Sequence, residues 1–371
     1  MKMSKQTSVC LLIFILKAFN LAIISLIFVA AYINHKQTLI KHLILSMKLN
    51  PTRIEVMQFL AQKIDDIIEE FLKKIDENWQ PSDFLPESSK PEFASQIHEI
   101  QAQCKELPYE YMAILVGDLI TEEALPTYES WLMDIDGISK SEPQGWSKWI
   151  RMWTAEENRH GDLLNKYIYL SGRVNMRQME ISTQYLIADG MDIGTATDPY
   201  KNFVYTSFQE LATNVSHRRT ATLAKKYGNE QLSKICGVIA SDELRHAKAY
   251  KSFVTKIFEV DPSEMMLAFE DMMRKKIVMP AHFLRQQGEK ISTSWSHFSD
   301  AAQRIGVYTS MDYTNIMESL IDEWKIGNIC GLNSAAEKGR DYLMALPDRF
   351  RKVAERSGIK APLEYRFNWI Y

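Results

Sequence analysis

At 371 residues and a formal net charge of −3, the chain is long enough for two domains or one large helical bundle, and it has no global basic field of the kind nucleic-acid binding needs. Gly and Pro are sparse, at 15 and 12 residues, and charges of both signs are interspersed, which favours long helices over a turn-rich β-fold. Cys10, Cys104, Cys236 and Cys330 lie far apart with no CxxC pair, which argues against a zinc knuckle or disulfide framework and fits a reducing compartment.

The first 45 residues stand apart. Val9 to Ile33 is apolar apart from Lys17 and Asn20, long enough to cross a bilayer, and without the Ser/Arg-rich look of an organelle transit peptide. It reads either as a membrane anchor, with membrane contact through residues 9–33, or as an atypical targeting segment or mispredicted first exon. The expected division is therefore 1–45, a hydrophobic N-terminal segment, and 46–371, a helical domain.

From Asn50 onward helix signals dominate. Ile54 to Asp76 is periodic, and NWQPSDFLPESSKPEF from Asn78 is a Pro/Ser-rich connector. Further helices are predicted near 109–136, 146–171, 174–189, 200–227, 229–258 and 263–286, then a weaker pair near 311–325 and 334–356. Pro126 has no N–H for the carbonyl of Glu122, so the helix should end or kink there. The last residues, EYRFNWIY, predict an irregular tail or short hairpin.

One local repeat stands out: Glu156-Glu157-Asn158-Arg159-His160 returns as Asp242-Glu243-Leu244-Arg245-His246. Residues three apart on a helix share a face, so Glu157 with His160, and Glu243 with His246, can each converge on one ion. A bundle-type two-metal site needs one more Glu from each of two other helices, and Glu122 and Glu210 are the candidates. Glu122 precedes Glu157 by 35 residues and Glu210 precedes Glu243 by 33, as two similar hairpins require.

Four buried carboxylates without counter-ions would each lose several kcal/mol of solvation, so divalent ions are expected. Carboxylate and imidazole without thiolate suit iron or manganese rather than structural zinc. Glu156 and Asp242 can accept the second N–H of a ligand histidine, or simply face solvent. Thr213, one turn past Glu210, can offer a hydroxyl to bound oxygen, although packing or a backbone bond is the commoner role.

These segments resemble the plant acyl-ACP desaturases: GDLITEEALPTYESWL from Gly117, WTAEENRHGDLLNKYIYLSGRV from Trp153, YTSFQELATNVSH from Tyr205, ICGVIASDELRHAKAY and FEDMMRKKIVMPAHF. The resemblance runs from about residue 46 to near the C-terminus. It implies an all-α, ferritin-like four-helix bundle core with additional helices, and two iron ions (Fe2+) held by Glu122, Glu157, His160, Glu210, Glu243 and His246.

It further implies a role for Thr213 in oxygen activation, and places Trp153, Asp242 and Trp79 near the electron route or behind the ligands. The implied activity is insertion of a double bond into a fatty acyl chain on acyl carrier protein, using dioxygen and reduced ferredoxin, by a homodimer in the plastid stroma. Acyl carrier protein is acidic, so a basic surface is expected, and Arg274, Lys275 and Lys276 are the most compact candidate.

The sequence departs from the family's pattern at Leu211 and Leu244, where common members have Arg and Lys; these changes bear on rate and substrate preference, since no proposed ligand is lost. Iron storage on the same ligand set, and a non-catalytic membrane-tethered scaffold, are the alternatives.

Overall fold

The two longest helices lie side by side and set the frame: α8 (Pro199–Lys226) and α9 (Glu230–Val260) form an antiparallel hairpin packed along its length. The computed structural model describes residues 51–356 and 364–371. Among these residues Thr52–Tyr371 forms one compact unit, all-α apart from a single antiparallel bridge.

Numbered from the first described residue, the elements before this hairpin are α1 (Pro51–Ala61), α2 (Ile64–Phe71), α3 (Phe93–Lys105), α4 (Tyr109–Glu123), α5 (Leu125–Met133), α6 (Trp146–Ser171) and α7 (Met176–Asp189). After it come α10 (Pro262–Lys275), α11 (Thr293–Ile305), α12 (Ser310–Glu323), α13 (Ser334–Met344) and α14 (Leu346–Arg356).

Local chemistry sets the helix ends of the core. Asp198 caps α8 by accepting from the N–H groups of Tyr200 and Lys201, with Pro199 at the first turn, where a missing N–H costs nothing. Asn229 caps α9 through the N–H of Leu232. Gly145 (φ 61°) precedes α6 and Gly172 closes it at φ 67°, a left-handed turn that glycine adopts without steric penalty. Pro126 interrupts the predicted 109–136 helix: α4 stops at Glu123, and α5 restarts around the proline.

A second hairpin-like pair, α4 and α6, stands against the first, with α5 covering the joint. Gly161 lets α6 approach α4 closely: a Cβ there would sit 3.3 Å from backbone atoms of Glu122 and Glu123. The core is aromatic-rich where the hairpins meet, with Trp149, Phe203, Tyr250 and Phe253 buried against one another. Arg53 fastens α1 to this frame, pairing with Asp198 at 2.6 Å and Glu264 at 2.7 Å over the Tyr200 ring.

Several predicted boundaries are corrected. Ile54 to Asp76 is two helices, α1 and α2, followed by a short 3-10 turn at Ile75–Glu77. The 263–286 helix ends at Lys275, because Lys276 takes a left-handed φ of 66° and Pro280 then opens a 3-10 turn. The 334–356 segment breaks at Ala345 ahead of Pro347. Helices α3 and α11 were not anticipated.

The C-terminal residues do form an ordered edge: Ile370 pairs with Val174, and the carbonyl of Trp369 accepts from the N–H of Asn175 at 2.8 Å. Phe367 and Trp369 are buried and stacked there. Residues 9–33 and the 45/46 boundary lie outside the described residues. Among the described residues no helix is long and apolar enough to cross a membrane.

Candidate metal centre and its cavity

Each core helix delivers its carboxylate or imidazole to one point. Glu122 comes from the last turn of α4, Glu157 and His160 from α6, Glu210 from α8, and Glu243 and His246 from α9. They form two overlapping groups, Glu122–Glu157–His160–Glu243 and Glu157–Glu210–Glu243–His246, each with its ligand atoms within 4.8 Å of one another. His160 Nδ1 faces Glu157 at 3.2 Å, Glu243 at 3.4 Å and Glu122 at 3.7 Å. His246 Nδ1 faces Glu157 at 2.6 Å and Glu210 at 3.8 Å.

The residues present fit metal. His160 Nδ1, His246 Nδ1 and Glu157 Oε1 are buried and crowd together without hydrogen-bond geometry, His246 Nδ1 and Glu157 Oε1 only 2.6 Å apart, and buried polar atoms so placed call for an explanation such as an ion. All three converge on the same small volume. The electrostatics say the same. Burial, reinforced by Glu157 and Glu243, pushes the Glu210 carboxyl well above its ordinary range. Burial disfavours charge on His246, yet Glu157 and Glu156 outweigh it and raise the imidazole to about 9. Without metal, protons must neutralise the cluster, and divalent ions would displace them.

Behind the cluster the two repeats cross. Glu156 of α6 faces the histidine of α9, with His246 Nε2 at 2.9 Å, while Asp242 of α9 faces the histidine of α6, with His160 Nε2 at 3.5 Å. Both acids are buried rather than solvent-facing. Arg245 joins them, reaching Glu156 at 2.7 Å and Asp242 at 2.5 Å, and Arg159 adds a 3.1 Å contact to Asp242. Trp79 donates its indole N–H to Asp242 at 2.9 Å, stacks on His160 and lies under the Arg159 guanidinium.

The two outer carboxylates of the cluster are each held by a donor. Trp153 Nε1 donates to Glu210 Oε1 at 3.2 Å. His217, absent from the sequence expectations, places Nε2 2.9 Å from Glu122 Oε1. Its signal was its position two helical turns after Glu210 on the same face. Asp118, one turn before Glu122, accepts from Ser216, and burial lifts its carboxyl to about 6 against the pull of His217. Thr213 Oγ1 donates to Glu243 Oε2 at 2.9 Å as well as lying near the carbonyls of Gln209 and Glu210, so it combines the backbone bond with contact to the cluster.

A mainly apolar cavity opens on this cluster. Glu122, Glu157, Glu210, Glu243 and Thr213 line its wall together with Met279, Ala281, Trp295 and Phe298. Its enclosed volume is about 100 Å³, a narrow space. The basic cluster is elsewhere and largely engaged. Arg274 pairs with Glu270 and stacks on Tyr342, and Lys275 pairs with Asp271, while Lys276 is exposed. Leu244 is 40% exposed and Leu211 half-buried.

A helical bundle with a buried carboxylate–imidazole cluster fit for metal, set on the wall of an apolar cavity, defines the class of protein. The chain belongs to the fatty acid desaturase family, whose model matches residues 52–371. It is 48% identical over 335 residues to a cucumber acyl-[acyl-carrier-protein] desaturase (89% of this chain, 84% of that one). To an Arabidopsis thaliana stearoyl-[acyl-carrier-protein] 9-desaturase it is 47% identical (89% and 85%). To a palmitoyl-[acyl-carrier-protein] 4-desaturase of Ophrys sphegodes it is 48% identical (87% and 82%).

Proposed function

We propose that the chain is an acyl-[acyl-carrier-protein] desaturase, inserting a cis double bond into a saturated fatty acyl chain on acyl carrier protein during fatty acid biosynthesis. The observation that carries this reading is the cluster's place on the wall of an apolar cavity; the names of the relatives supply the substrate class. A storage protein or inert scaffold has no use for such a cavity, and the family match does not favour either. The relatives include both 9- and 4-desaturases at nearly equal identity, so similarity does not choose the bond position.

Two iron ions are the proposed cofactor; Glu122, Glu157, His160 and Glu243 would hold one, and Glu157, Glu210, Glu243 and His246 the other. Bound there, iron supplies the dioxygen chemistry that removes two hydrogens from adjacent methylenes. The balance is one saturated chain, dioxygen, two electrons and two protons giving one alkene and two waters.

The protein's own part is geometric. Glu156 and Asp242 fix the histidine rings through Nε2, leaving Nδ1 turned inward. Thr213 presents its hydroxyl at the junction of cluster and cavity. The walls formed by Leu125, Met279, Trp295 and Phe298 hold a flexible chain beside the cluster and keep water away. Trp79, Asp242 and His160 form a contiguous path from a half-buried indole to the cluster, suited to electrons from ferredoxin.

Further parts of the proposal are a homodimer, a plastid location as in the relatives named chloroplastic, and a domain at 46–371 preceded by a separate hydrophobic segment. Carrier docking at Arg274, Lys275 and Lys276 is tested by replacing all three with alanine, which should weaken acyl carrier protein affinity; unchanged affinity removes this surface.

The deciding experiment gives the iron-loaded full chain ferredoxin, reductant and a panel of saturated acyl-carrier substrates, with and without oxygen, and identifies products by mass spectrometry. Oxygen-dependent unsaturation is expected. Iron bound with no unsaturated product on any chain length would return the scaffold or storage reading.

A further inference from the structure

Gly117 sits in the middle of α4 with no backbone need for glycine, since its φ is not in the left-handed region. Glycine inside a helix is unfavourable relative to alanine, so its use here answers a demand for space. The ring of Phe298, from α11, lies directly on its backbone. A Cβ at Gly117 would stand 2.2 Å from Phe298 Cε2 and 2.6 Å from Cδ2, distances at which one side must move.

What a displaced ring would disturb follows from its surroundings. Phe298 is itself part of the cavity wall, together with Trp295, Ser299 and Ala302 of the same helix. On α4 the wall continues through Asp118, Thr121 and Glu122, one residue to somewhat over one turn beyond Gly117. Trp295 lies 6.2 Å from the Phe298 ring and is backed by His282, stacked at 3.6 Å, while Ala301 and Ala302 are buried. A ring displaced from α4 therefore shifts within the cavity wall it forms with Trp295, Ser299 and Ala302.

We infer that Gly117 is a specificity-determining position: by seating Phe298 against α4 it sets the bore of the cavity beside the cluster, and with it which acyl chains the site accepts. Gly117 does not line the cavity, so it acts as a positioning residue through Phe298. This inference rests on the acyl-desaturase reading. A change of one methylene in an apolar site is worth roughly tenfold or more in discrimination, which sets the expected scale.

The test compares iron-loaded full-length wild type, Gly117→Ala, Phe298→Leu and the double variant. One arm measures equilibrium binding of saturated acyl-carrier substrates of graded length without oxygen; the other measures kcat and KM for each, with product bond position. Gly117→Ala is expected to keep its iron content and thermal midpoint. It should raise Kd and KM about tenfold for the best wild-type chain and change the ranking of lengths, while Phe298→Leu broadens it.

The double variant should recover most of the loss, which a merely structural defect would not do. Equal loss on all chains without rescue, or no change in either arm, would overturn the inference. Should Gly117→Ala lose iron or thermal stability, Phe298→Leu decides alone: an unaltered length ranking sinks the idea. A wild type that binds graded chains but makes no alkene would remove the activity reading, and the binding arm would still decide the role of Gly117.

Discussion

The cluster has two halves built from the same motif, and their surroundings differ. One half is Glu122 with His160, the other Glu210 with His246, and both share Glu157 and Glu243. Around Glu210 the donor is the Trp153 indole, which can only donate; around Glu122 it is the His217 imidazole, which can donate or accept. The acid behind His246 is at 2.9 Å and that behind His160 at 3.5 Å, and only the latter also takes the Trp79 indole. A motif that occurs twice supplies matching side chains, while the environment gives each position its own character. The proposed electron path enters on the His160 side, and Thr213 touches the shared Glu243 from the helix that carries Glu210.

The largest effect should come from removing what the halves share. Glu157→Gln or Glu243→Gln is expected to take iron from about two per chain to near none and turnover to background. Elemental analysis retaining one tightly bound iron would show the halves to be independent. Replacing the acids behind the histidines should separate the halves: Glu156→Gln weakens the His246 position and Asp242→Asn the His160 position, each by about 10–100-fold in metal affinity. Asp242→Asn alone should also slow reduction, read by stopped-flow, because it releases Trp79.

Smaller again are His217→Leu and Trp153→Phe, which leave Glu122 or Glu210 without its donor. About tenfold weaker loading of one position is expected from each, followed by iron titration, and His217→Gln should restore part of it if donation is what matters. Thr213→Val removes a hydrogen bond to a carboxylate of about 1.5–3 kcal/mol. It should leave iron content intact and lower turnover; equal loss of both would make Thr213 a structural residue.

The smallest effect lies outside both halves and serves as their control. Burial would raise the Glu289 carboxyl, but Tyr365, the Gln286 N–H and Ser294 outweigh it and lower it from its ordinary 4.5. Its folded-state value is depressed, so its stabilisation is full above 4.5 and fades as pH falls below that through the folded value. Protease sensitivity of the C-terminal residues should rise over that acidic range in wild type and be flat in Glu289→Gln.

The cluster residues were legible because a motif occurred twice and each copy was preceded by a Glu at nearly the same distance. Helices α6, α8 and α9 were legible because Gly, Asp-Pro and Asn mark their ends. Helix α3 was not, since FASQIHEIQAQCK buries only Ile100 and Cys104 and shows too thin an apolar stripe. The α11 helix starts from Ser292 in a left-handed conformation, with no side-chain cap to announce it. The spacing of His217 from Glu210 was its one signal in the sequence, and its role depends on the meeting of α8 with the end of α4. Pro126 was legible as the place where the 109–136 helix ends or kinks, and the break falls just before it, at Ala124.

Because each copy of the repeat donates one of the two shared carboxylates, neither copy can drift alone. A damaging change at Glu157 takes a carboxylate from both groups at once, so the two halves stand or fall together and only the residues around them are free to differ.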